Sequence, residues 1–124
     1  FQGTRDLASL PAIPAAIEFL EKHQWSEVKK ACHRLVWEIA EEWSGITGLA
    51  PLVQPELRAG MQMVSLPLPE CDVMNIKKQL YDEFQIEIPV MRWKEHCIAR
   101  ISIQGYNTPA DGQSLIEALK KLLY

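Results

Sequence analysis

The sequence predicts an α+β fold: two N-terminal helices followed by β-α-β-β-α, forming a small open sheet with helices packed on one face. Four segments repeat apolar residues at helical spacing. Two others, QIEIPVMRW (85–93) and CIARISIQ (97–104), are β-branched and alternating, and MQMVSLPL (61–68) supplies a third strand candidate. At 124 residues and 48% hydrophobic, the chain is long and apolar enough for one domain with its own core.

Between Leu10 and Lys22, residues Ile13, Ala16, Ile17 and Leu20 share one helical face. Pro11 and Pro14 stay near the start, where a missing N–H is tolerated. Ser26 is the expected N-cap of a second helix whose stripe is Val28, Cys32, Leu35, Val36, Ile39, Trp43 and Ile46, ending at Gly45 or Gly48. GLAPLVQPELRAG (48–60) carries two prolines between bounding glycines and reads as a connection. Pro67 is expected to terminate the strand that follows it.

Asp72 caps a third helix with Val73, Ile76, Leu80 and Phe84 on its buried face. Trp93 to His96 is short enough for a hairpin between the two alternating runs. Thr108, Pro109 and Asp111 fit N-cap, N1 and N3 of a last helix, with Leu115, Leu119 and Leu122 as its stripe. The expected organisation is a single domain over 1–124: an opening loop and helices (1–48), a connection (49–61) and a βαββα unit (62–124).

Net charge is −3, and no Lys or Arg cluster interleaves with aromatics, which argues against a nucleic-acid surface or a polybasic membrane patch. No apolar run has the length of a membrane span and the N-terminus lacks the order of a secretory signal, so a cytoplasmic protein is expected. Cys32, Cys71 and Cys97 are odd in number and widely spaced, which fits reduced thiols better than a disulfide framework. The chain opens with Phe1, too bulky to follow routine removal of an initiator Met, so a piece of a longer protein is expected.

Among candidate site residues Arg100 stands out. On a strand it shares a face with Ile98, Ser102 and Gln104, opposite Ala99, Ile101 and Ile103. It reads either as an ordinary solvent-facing charge or as a planar fork fixed on a rigid element, suited to gripping a carboxylate. The pattern alone leaves both open. QGTRD (2–6) offers backbone N–H groups and the Thr4 hydroxyl to a phosphate, or is simply the approach to a helix.

His23, His33 and His96 form no metal-binding spacing. Cys97 has Arg92, Lys94 and His96 nearby in sequence, as a thiolate nucleophile would require, but an isolated cysteine at a strand start more often packs. No nucleophile elbow, P-loop or dinucleotide fingerprint occurs.

Taken together, FQGTRD at the start, the IEIPV strand, and RISIQGYNT followed by a capped helix resemble the C-terminal part of class V aminotransferase-like enzymes. These are pyridoxal phosphate enzymes of fold type I, and the isopenicillin N epimerase-like branch is the best match. The resemblance implies a small domain packed on a large, cofactor-holding domain, with the active site between them at a homodimer interface. It implies an amino-acid substrate whose α-carboxylate is held by Arg100. Thr4 would reach the cofactor phosphate of the other subunit, with Gly3 allowing the close approach.

Asn107 and Thr108 keep a structural reading as the start of the last helix. The family's Schiff-base lysine would precede Phe1. Lys29, Lys30, Lys77, Lys78, Lys120 and Lys121 fall in predicted helices and Lys94 in a turn, so no catalytic residue is assigned and the chain alone is expected to be inactive. Only seven residues separate Arg92 from Arg100, too few for the extended loop that carries the cysteine of the family's desulfurases. The reading from another class is a free-standing, non-enzymatic α+β module that binds a protein or ligand, with Arg100 as a rim charge.

Overall fold

The computed structural model describes residues 10–124. In order come α1 (Ala12–Lys22), α2 (Trp25–Thr47), a single 3-10 turn (Pro55–Leu57), β1 (Met63–Leu68), α3 (Val73–Phe84), β2 (Val90–Trp93), β3 (His96–Ser102) and α4 (Pro109–Leu123). The class is α+β as expected, with one antiparallel sheet of order β1-β3-β2.

The sheet is two-faced because β3 alternates. Cys97, Ala99 and Ile101 are buried on the helix side, level with Leu68, Leu66 and Val64 of β1. Against that side lie Val36, Ile39 and Trp43 of α2, Ile76 and Leu80 of α3, and Leu115, Ile116 and Leu119 of α4, all in one buried cluster. No helix of this cluster covers Arg100 and Ser102, which are exposed on the other side.

Local chemistry accounts for the helix ends. The Asp72 carboxylate accepts from the N–H groups of Met74 (3.1 Å) and Asn75 (3.2 Å), capping α3. At α4 the Asp111 carboxylate accepts from the backbone N–H (2.7 Å) and hydroxyl (3.2 Å) of Thr108. Helix α2 ends at Gly48, not Gly45, because Gly48 takes the left-handed conformation (φ 70°) that closes a helix.

Three details differ from the sequence expectation. Ser26 lies inside α2 and Gln24 is the N-cap, in a left-handed conformation (φ 48°). The helices are joined by His23 and Gln24 alone, and so short a link turns only through a residue of unusual φ. The run 85–93 forms a strand only from Val90. Its first residues leave α3 instead: Gln85 is left-handed (φ 57°), and the Ile86 N–H turns back to the Leu80 carbonyl (2.9 Å).

Strand β1 does not stop at Pro67 but runs through it to Leu68. The Ile103 N–H donates to the Gln62 carbonyl (2.8 Å), so residues 62, 64, 66 and 68 bond inward to β3 while 63, 65 and 67 turn their backbone groups outward. Pro67 therefore lacks an N–H only where β3 does not need one. Its carbonyl accepts from the indole N–H of the fully buried Trp43 (2.7 Å), which fastens α2 to the sheet edge.

Helix α1 behaves differently from the others. It has no buried residue, and Ile13, Ile17 and Leu20, spaced along one face, are 54, 52 and 42% exposed, as is Leu10 just ahead of it (55%). No described helix is long and apolar enough to cross a membrane.

Close packing of α4 on α2 yields a prediction. A Cβ added at Gly112 would lie 2.6 Å from Ile39 Cδ1 and 2.7 Å from Cγ1. Gly112→Ala gains about 1 kcal/mol of helix propensity but overpacks a buried contact at a cost of about 1–3 kcal/mol. The expected net is a loss of roughly 1 kcal/mol, read as a lower urea midpoint; a stabilised variant would show that Ile39 yields freely.

Candidate functional site

The uncovered sheet face centres on β3. Across it Arg100 pairs with Ser65 and Ser102 with Met63, while Ile98 lies between Pro67 and Met91. The Arg100 N–H donates to the Pro89 carbonyl (2.9 Å) just ahead of β2, and its neighbours Ala99 and Ile101 pair with β1, so the guanidinium projects from a strand fixed on both edges. Ile98 is buried although it belongs to this otherwise polar side, because Pro67 and Met91 flank it.

Arg100 differs from the other described arginines in its partners. Arg34 meets Glu38 at 3.9 Å, Arg58 meets Glu41 at 2.6 Å, and Arg92 is paired with Glu70 through two N–H groups. Among the described residues no carboxylate lies within ion-pair distance of Arg100. A fork of five donors on a fixed strand, with no acid among the described residues to satisfy it, can take a carboxylate from outside in two parallel hydrogen bonds.

The remaining charged and polar groups have structural work. Arg58 stacks over the Trp37 ring (4.2 Å), and the His33 imidazole bonds the Met61 carbonyl (2.7 Å), so both clamp the connection onto α2. The Glu70 carboxyl is held below its usual range, mainly by the hydrogen bond from Arg92. Gln104 and Asn107 close the turn after β3: the Asn107 amide oxygen accepts from the Gln104 N–H (2.9 Å) and the Asn107 N–H donates to the Gln104 carbonyl (2.9 Å). That turn leads into the Thr108 cap, so the start of α4 is built as the sequence suggests.

Gly3 and Thr4 lie outside the described residues. Among the described residues no three His, Cys, Asp or Glu side chains cluster to hold a metal. Every described lysine is exposed, and Asp82 raises the pKa of Lys78, chiefly by a hydrogen bond, opposite to what an amine nucleophile requires. The described residues therefore do not fit pyridoxal phosphate by themselves: they offer an arginine without a described acid partner but no desolvated amine.

Sequence pattern located Arg100 and its polar face but missed Ser65 beside it. The alternation of MQMVSLPL contained that signal, and only the register with β3 turns it into a neighbour.

No protein-family model matches the chain. It is 34% identical over 123 residues to an isopenicillin N epimerase of Amycolatopsis lactamdurans, covering 98% of this chain and 31% of that protein. It is 30% identical over 136 residues to a probable chloroplastic L-cysteine desulfhydrase of Arabidopsis thaliana, covering 98% of this chain and 29% of that one. A probable L-tyrosine/L-aspartate decarboxylase of Methanosarcina mazei is 28% identical over 120 residues, 97% of this chain and 28% of its own. Nearly all of this chain is thus alignable to proteins named as an epimerase, a desulfhydrase and a decarboxylase, and it spans about 30% of their length.

Proposed function

We propose that this chain is the C-terminal small domain of a pyridoxal phosphate enzyme of the class V aminotransferase-like family, and that Arg100 holds the α-carboxylate of an amino-acid substrate. The observation that carries this reading is an arginine fixed on the central strand of an uncovered sheet face, with no described carboxylate as its partner. The relatives named as epimerase and desulfhydrase supply the chemical context.

In this reading residues 1–124 are one domain, and the rest of the longer polypeptide is a large domain carrying the cofactor and its lysine. The exposed apolar stripe of α1 fits such a partner surface. The complete enzyme is a homodimer in which Gly3 and Thr4 approach the cofactor phosphate of the other subunit. Pyridoxal phosphate supplies an electron sink for the substrate α-carbon.

The task of this chain is orientation. Two parallel hydrogen bonds from Arg100 fix the carboxylate plane and so restrict rotation about the substrate Cα. A bond to Cα is then presented to the cofactor in one geometry. The names of the relatives span epimerisation, desulfhydration and decarboxylation, so the proposal extends to the substrate class and stops short of the bond broken.

The decisive variant is Arg100→Lys in the longer polypeptide, which keeps the charge and removes the fork. KM for the amino-acid substrate is expected to rise about 10–100-fold, the loss of one to two tenfold steps of binding, with cofactor absorbance unchanged. An unaltered KM would remove Arg100 from the site. In the 124-residue chain, Arg100→Ala should shift stability by less than about 0.5 kcal/mol, as for a surface side chain without internal partners. Treatment of the chain with pyridoxal phosphate and then borohydride should give no stoichiometric lysine adduct; one specifically labelled lysine would overturn the assignment of the catalytic amine to the rest of the polypeptide.

A further inference from the structure

Away from Arg100, the helix side of the sheet brings together two cysteines that are distant in sequence. Leu68 ends β1 level with Cys97 of β3, and the chain then turns through Glu70 and Cys71 back over that strand. Cys97 Sγ lies 3.6 Å from the Cys71 carbonyl oxygen and 3.9 Å from Glu70 Oε2, which sets the Cys71 backbone directly against the Cys97 thiol. Cys71 is half-buried and Cys97 buried, while Cys32 is buried on α2. Glu70 is held in place by Arg92, which extends from β2 beside Cys97.

We propose that Cys71 and Cys97 form a redox-modification site, in which a hydroperoxide converts the two thiols into a disulfide joining the β1–α3 turn to β3. The half-buried Cys71 reacts first. Its thiolate sulfur attacks the peroxide, the O–O bond breaks, and the products are the Cys71 sulfenic acid and water (an alcohol for an organic hydroperoxide). Cys97 then loses its proton toward the adjacent Glu70 carboxylate and attacks the Cys71 sulfur. The S–O bond breaks, a second water leaves with that proton, and the S–S bond forms. The two thiols are oxidised by two electrons in total and one peroxide is reduced.

The surroundings set the rate. Burial, then the hydrogen bond and charge of Cys97 and the charge of Glu70, push the Cys71 thiol up to about 11, against an opposing pull from Arg92. Below that value the thiolate is scarce, so the first step should accelerate about tenfold per pH unit between neutral pH and pH 10. The site therefore responds to sustained oxidant, and the nearby Cys97 captures the sulfenic acid before it is oxidised further.

The test is oxidation of the reduced 124-residue chain with hydrogen peroxide, followed by thiol alkylation, intact mass and a non-reducing tryptic map. Trypsin separates the two cysteines by cutting after Arg58, Lys77, Lys94 and Arg100. The expected product has lost two hydrogens, carries one link between peptides 59–77 and 95–100, and returns to the dithiol with dithiothreitol. In Cys97→Ser, Cys71 should instead accumulate as a sulfenic acid trapped by dimedone. A wild-type chain that goes to sulfinic or sulfonic acid at Cys71 without a link, or links through Cys32 or between molecules, would overturn the proposal whether or not the variant folds.

Discussion

Among the described residues every strand pairing runs to β3, since β1 and β2 each pair with it and not with one another. Ala99 shows what this demands. It is fully buried, with Leu66 on one side and Val90 on the other, and its small side chain leaves room for the helix layer over the centre of the sheet. With a side-chain period of two, a slip of one residue in β3 would place Arg100 in that layer and expose Ala99 and Ile101. The burial of Trp43, Leu80 and Leu119 above this strand makes that register the only one compatible with the core.

The same constraint gives the molecule two chemically different sides. On the helix side, apolar contacts from α2, α3 and α4 fix the strand in position. On the other side, that fixed strand holds a guanidinium whose hydrogen-bonding capacity the described residues leave unused. Arg58 and Arg92 stabilise a connection and a sheet edge through acids of their own, so charge alone does not mark Arg100. What marks it is a polar group on a rigid base without an acid partner among the described residues.

Features decided within one helical turn or one strand were legible in the sequence. The Asp72 cap, the Thr108–Asp111 pair and the alternation around Arg100 depend on neighbours one to three residues away. Features decided by distant packing were not. Ser26 has the chemistry of an N-cap, but the shortness of the α1–α2 link gives that place to a left-handed Gln24. Alternation continues through residues 85–89, yet those residues serve the exit from α3. Ile98 is buried on a polar face because of what lies beside it on β1 and β2, and the Cys71–Cys97 contact joins positions 26 apart. No local pattern encodes such a juxtaposition.

Pro67 has an effect beyond fastening α2. An edge strand ordinarily offers its outward N–H and C=O groups to any extended chain that approaches. At Pro67 the outward donor does not exist, and the outward acceptor is already engaged by the Trp43 indole. A foreign strand laid along β1 would find no partner there for a stretch of its ladder, and could gain one only by pulling a fully buried tryptophan's hydrogen bond apart. The anchor that holds the helix layer in place also protects this margin of the sheet from β-sheet polymerisation.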